Sequence, residues 1–217
     1  MKFISIASQE AGYACATSKY ISKYFYNNQK PREFFDLITI SMKSVNEVLL
    51  SKPIEFNDKE YDFYRVPNST NNIIIGFKNF DSMTSFHDLI DTSINSINSW
   101  KNIYSNLQNK MIHNIKNSNE PIIFFRTVKN KNDIQEDGIH TFFNTIYSLN
   151  PNLKFYFIML TDKKIDISKS LLEKKGFILF NFSDYIDPNK KYDENIYNRI
   201  INDYEYLAIK KIIDNFI

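Results

Sequence analysis

Few residues in this chain could carry covalent chemistry, and three stretches hold them. Cys15, the only cysteine, stands in Gly12-Tyr-Ala-Cys15, just ahead of a helical pattern running from Ala16 to Phe25. Beside a helix start, unsatisfied N–H groups and the positive dipole end favour thiolate over thiol. A thiolate nucleophile also needs a base to take its proton and a group to orient that base. His87, in Ser85-Phe-His-Asp88 at the mouth of an expected long helix, could be the base, with Asp88 or Asp36 orienting its imidazole. The plainer alternatives are Asp88 as a helix N-cap and Cys15 as a small buried apolar residue.

Arg126 is the third. The chain has four arginines against 23 lysines, and this one lies near the end of Pro121-Ile-Ile-Phe-Phe-Arg-Thr-Val128. An arginine at the carboxyl end of a buried strand predicts one of two contacts. Either it binds an anionic substrate, or it pairs with a carboxylate, for which Asp36 is the expected partner. No metal site is expected: there is no cysteine pair, no His-Glu-x-x-His, and neither His113 nor His140 has an evident partner. With only four glycines, a Gly-rich phosphate loop is nearly excluded, and no cofactor is expected.

The elements that must position these groups can be read from periodicity. Residues 3–7 form a short apolar strand, and Met42, Val45, Val48 and Leu49 share one face of a helix at about 42–51, with Ser44 and Glu47 at capping-box spacing. Ile54–Phe56 and Tyr61–Val66 suit a hairpin around a four-residue loop, and Ile73–Phe77 suits another strand, giving a small antiparallel insertion at about 52–80. A long helix is expected from Asp88 to about Asn117, its stripe carried by Ile90, Ile94, Ile97, Tyr104, Met111 and Ile115, with Trp100 and Leu107 on the adjoining face. Strands at 121–127, 154–160 and 177–182 then alternate with helices at 136–149, 167–175 and 193–215. Right-handed crossovers make such strands parallel neighbours, with ligands beyond their carboxyl ends. The fold class is α/β: one domain over 1–217, with a mostly parallel sheet flanked by helices.

Composition narrows the class. Hydrophobic content of 43% and charged content of 24% suit a soluble globular chain. A net charge of +2 without a basic stripe gives no reason to expect nucleic acid. No apolar run approaches the ~18 residues of a bilayer span, and the amino terminus lacks a signal-peptide pattern. The expected location is therefore cytoplasmic, without membrane association. The abundance of Lys, Asn, Ile, Phe and Tyr suits an AT-rich genome, so the polar Asn-Lys segments are discounted as functional signals.

Four short motifs occur in order: Gly12-x-x-Cys15-x-x-Ser18, Phe34-Phe-Asp36-Leu, Phe86-His87-Asp88 and Ile123-Phe-Phe-Arg126. Together they resemble a family of unknown function described as papain-like cysteine peptidases, over about residues 3–160. The family pattern has Trp where Leu37 stands, and a shorter link between the opening strand and Gly12, which leaves Glu10 as well as Cys15 near the family's cysteine position. The resemblance implies a cysteine-dependent hydrolase or acyl-transfer enzyme with Cys15 as nucleophile and His87 as base. Two other readings compete: a glycosyltransferase-like enzyme holding an anionic donor at Arg126, and a non-catalytic interaction protein using the 52–80 insertion.

Overall fold

The computed structural model describes residues 1–9, 11–36, 38–51, 61–65, 73–85, 91, 93–161, 164–181, 209–211 and 213–214, leaving aside the side chains of 11–16, 61–65 and 73. In chain order the elements are β1 (Lys2–Ile6), α1 (Ala11–Phe25), β2 (Ile38–Thr39), α2 (Met42–Leu50), β3 (Tyr61–Arg65), β4 (Ile73–Phe77) and β5 (Thr84–Ser85). There follow α3 (Ile94–Lys116), β6 (Ile122–Thr127), α4 (Lys131–Ile134), α5 (Glu136–Leu149), β7 (Phe155–Thr161), α6 (Lys169–Leu172) and β8 (Phe177–Asn181). Residues 209–211 and 213–214 are also helical; the rest of the expected closing helix lies outside the described residues.

The main sheet has the order β1-β6-β7-β8, with every pairing parallel; for β6, β7 and β8 this is what the strand–helix–strand alternation predicts. All six residues of β6 are buried, because both faces of the sheet are covered. Successive side chains of a strand point to opposite faces, and the two apolar clusters divide accordingly. Ile122 and Phe124 join α2, α3 and α5 on one face. Ile123 and Phe125 join Tyr20 and Ile21 of α1, and Ile209 and Ile213, on the other.

The antiparallel part is wider than the expected insertion. Its order is β2-β5-β4-β3, so residues 38–39 and 84–85 belong to it. Two-residue strands are too short to show a period of two, which is why the sequence pattern misses them. The described hairpin pairs β3 with β4; Ile54–Phe56 lie outside the described residues.

Helices α2, α3 and α6 each differ from expectation. α2 is capped by Ser41, whose side chain accepts from the Ser44 N–H at 3.1 Å, so Ser44 is a capped residue and not the cap. α3 starts at Ile94 behind the cap Ser93, and Ile94 is 74% exposed. Its buried stripe is Trp100, Tyr104, Gln108, Met111 and Ile115; Gln108 is satisfied by donating to Val48 O at 3.0 Å and Ser51 Oγ at 2.9 Å. α6 is only Lys169–Leu172 long, against the expected 167–175, and stops short of Gly176. Gly176 instead takes φ +87° in the turn into β8, where a Cβ would lie 3.0 Å from Phe155 O.

Candidate functional site

β1 and β6 are parallel neighbours whose following helices go to opposite faces: α1 packs with Phe3 and Phe125, α5 with Ile122 and Phe124. Such a divergence opens a crevice at the carboxyl ends of the two strands, the general ligand position of open α/β sheets. Its walls are Ala7–Gln9 after β1, the start of α1, and the segment from Arg126 to Gln135. Thr17 of α1 is pinned to β6 here: its Oγ1 accepts from the Thr127 N–H at 3.1 Å and lies 2.6 Å from Thr127 Oγ1.

The hub beneath the crevice is an ion pair. Arg126 is 0% exposed, and its Nη2 lies 3.1 Å from Asp133 Oδ1. Nη1 donates to Ala7 O, and both terminal nitrogens donate to Ile40 O at 3.2 and 3.1 Å. Burial pulls the guanidinium pKa down and Asp133 pushes it back up. Asp133 also accepts from Ser8 Oγ at 2.5 Å, Gln9 N at 3.0 Å and Lys129 N at 3.3 Å. Of the two contacts foreseen for Arg126, the carboxylate is the one present, with Asp133 in the place expected of Asp36.

Asp36 is engaged elsewhere. Both its oxygens accept from Lys30 Nζ at 2.7 Å, Oδ2 accepts from Glu33 N at 2.7 Å, and Oδ1 accepts from Ser5 Oγ. It is fixed by its own loop, Lys30 to Asp36, because a lysine six residues away needs no long-range closure to reach it.

A chain of side-chain amides crosses the crevice. Gln135 Nε2 donates to Gln9 Oε1 at 2.9 Å, and Gln9 Nε2 donates to Ser82 Oγ at 2.8 Å. Gln135 Oε1 accepts from Met42 N at 2.6 Å. Gln135 (φ 52°) and Ser82 (φ 55°) both take left-handed backbone conformations that cost a non-glycine residue free energy, and both bond to Gln9.

Cys15 is the fifth residue of α1, which begins at Ala11 and not beside Cys15 as expected. Ala11, Ala14 and Ala16 have strong helix propensity, and they extend the helix backwards past Gly12. The dipole effect fades beyond the first turn, so helix position alone does not activate this thiol. The Cys15 side chain, Glu10, Leu37, His87 and Asp88 lie outside the described residues, while β5 ends at Ser85, two positions before His87. His113 is exposed on α3, with Nδ1 3.2 Å from Asn117 Nδ2. Among the described residues no His, Cys, Asp and Glu cluster could hold a metal ion, and no helix is long and apolar enough to cross a membrane.

Asp133, Gln9, Gln135 and Thr17 have no counterpart among the residues expected from sequence. Asp133 falls in Lys129-Asn-Lys-Asn-Asp133, a polar stretch discounted as compositional background. Its usable signal is Asn130, which caps the short helix α4 by accepting from Asn132 N and Asp133 N. Comparison with family models, with curated proteins and with solved structures gives no match for this chain.

Proposed function

We propose that the protein is a cysteine-dependent hydrolase or acyl-transfer enzyme working in the crevice between β1 and β6. Cys15 is the nucleophile, His87 the base, and Asp88 the group that orients the imidazole. The observation that carries this reading is the bridge from Gln9 to Ser82 at 2.8 Å. It ties the loop leading into the cysteine-bearing helix to the turn leading into β5, the strand just before His87. Two segments far apart in sequence are thereby held at one edge of the sheet.

In this mechanism His87 takes the Cys15 proton as sulfur bonds to the substrate carbonyl carbon. The carbonyl oxygen gains the negative charge and is met by backbone N–H groups at the start of α1, which have no intrahelical acceptor. The tetrahedral intermediate collapses, the leaving group departs with the proton from His87, and a thioester remains. Water, or an acceptor nucleophile, then attacks the thioester and restores the thiol. Because Cys15 lies past the first turn, its activation depends on His87. Arg126 and Asp133 hold the crevice floor in this reading and do not contact the substrate.

The test is the pH profile of iodoacetamide labelling at Cys15. The apparent thiol pKa should fall below the ordinary ~8.5 and return towards it in His87→Ala. Labelling that occurs only on unfolding would assign Cys15 to the core and overturn the proposal.

A further inference from the structure

The turn from Lys30 to Asp36, between α1 and β2, is tied to β1 around one buried lysine. Lys30 Nζ, on a side chain 3% exposed, donates to both oxygens of Asp36 at 2.7 Å and to Pro31 O at 3.4 Å. An ammonium has three N–H donors, so all of them are committed. Asp36 in turn accepts from Glu33 N at 2.7 Å and from Ser5 Oγ of β1. Glu33 Oε2 lies 3.6 Å from the same Nζ, buried and without a hydrogen-bond partner. One cation stands between two carboxyl groups, and Asp36 holds it.

We propose that Lys30, Glu33 and Asp36 form a proton-operated clasp: the turn is closed on β1 while Glu33 is protonated, and opens to carry that carboxylate into water when Glu33 ionises. With Glu33 neutral, the three side chains carry no net charge and every contact above is made. Ionised in the closed turn, Glu33 would add a negative charge with no donor of its own, which is costly in a buried setting. Its side chain is already 23% exposed, so a short outward movement of the turn solvates it. That movement breaks the bond from Glu33 N to Asp36. Beyond the turn, Ile40 N donates to Ser8 O at 3.2 Å and Ile40 O accepts from Arg126, which keeps β2 in place and confines the opening. The device does not depend on Cys15 or on the function proposed for the crevice.

The pH range follows from the surroundings of Glu33. Burial, chiefly, raises its pKa to about 7; Lys30 and Lys110 of α3 act against this and Asp36 adds to it. The same cavity is lined by Lys2 of β1, by Arg32, which donates to the Tyr104 phenol oxygen at 3.3 Å, and by Tyr26. Tyr26 has its own pKa raised, first by burial, and stays neutral in this range. In the open turn Glu33 returns to its ordinary 4.5. Opening therefore releases a proton between the two values: it grows by up to about tenfold per pH unit from about 5 to 7 and levels off above 7.

The experiment is amide hydrogen exchange of the full chain, followed by NMR at pH 5, 6, 7 and 8 and expressed as protection relative to an unstructured peptide. The N–H groups of Glu33 and Asp36 are both bonded within the turn and report its opening. Their protection should fall several-fold per pH unit, and by at most about tenfold, up to pH 7 and then hold steady. Glu33→Gln cannot ionise, so protection of the turn should stay constant across the series. The amides of β6, buried along its whole length, should remain more strongly protected than the turn at every pH. Turn protection independent of pH in the unaltered protein, a pH dependence that survives in Glu33→Gln, or a turn as strongly protected as β6 would each overturn the proposal.

Discussion

Asp133 Oδ1 lies 3.1 Å from Arg126 Nη2, with the two side chains 2% and 0% exposed and seven residues apart in the chain. The pair closes the turn from β6 towards α5. Through Ala7 O, Ile40 O, Ser8 Oγ and Gln9 N it also binds the segments after β1 and β2 to that turn. One buried ion pair thus sets the relative positions of three loops at the carboxyl edge.

A guanidinium cannot shed its proton at ordinary pH, so removing its carboxylate leaves a buried, uncompensated cation. Asp133→Ala should cost about 3–5 kcal/mol, read from urea unfolding. Arg126→Lys should also lower the melting temperature, because an ammonium cannot reproduce the planar fork that reaches both Ile40 O and Asp133. Unchanged unfolding midpoints in both variants would show that the edge is held by something else.

The second prediction concerns the contact between α2 and α5. A Cβ on Gly138 would sit 2.6 Å from Met42 Cβ and 3.3 Å from the Met42 carbonyl carbon. Neither atom is the end of a flexible side chain, so the helices themselves must part. The 2.9 Å bond from Asn46 Nδ2 to Gly138 O would stretch as they did. Replacing a helical glycine by alanine ordinarily gains up to ~1 kcal/mol, but overpacking costs ~1–3 kcal/mol. Gly138→Ala should therefore lower the melting temperature; an equal or higher value would mean that the seam can open freely.

The parts of this fold that were legible in the sequence are those with a long or repeated signal. The runs that became β6, β7 and β8, and the helix Glu136–Leu149, could be read because a strand buried on both faces is continuously apolar and a helical stripe repeats. The two-residue strands β2 and β5 left no pattern, and the true caps Ser41 and Ser93 were masked by neighbouring serines and acids. The candidate site was harder. Arg126 stood out as a rare arginine at a strand end, but its partner could not be chosen: Asp36 and Asp133 are both carboxylates, and only the chain path brings Asp133 beneath the strand. Gln9 and Gln135 are ordinary amides until left-handed backbone turns at Gln135 and Ser82 bring both partners to Gln9.

The last prediction is a pH dependence of stability. Glu33 has a folded-state pKa of about 7 against an ordinary 4.5, raised chiefly by burial. The folded protein therefore binds this proton more tightly than the unfolded chain does. The resulting stabilisation is fully present below about 4.5, declines as pH rises, and is lost above about 7. At 1.36 kcal/mol per pK unit, discounted for partial exposure, the effect is on the order of 2 kcal/mol. Glu33→Gln cannot ionise, so its stability should not carry this decline. Other groups also titrate between pH 5 and 8, but the difference between the unaltered protein and the variant isolates Glu33. That difference, from urea unfolding at pH 5, 6, 7 and 8, should move in favour of the glutamine variant as pH rises. A difference that stays constant across the series would mean that the carboxyl is solvated in the folded state and ionises at its ordinary value.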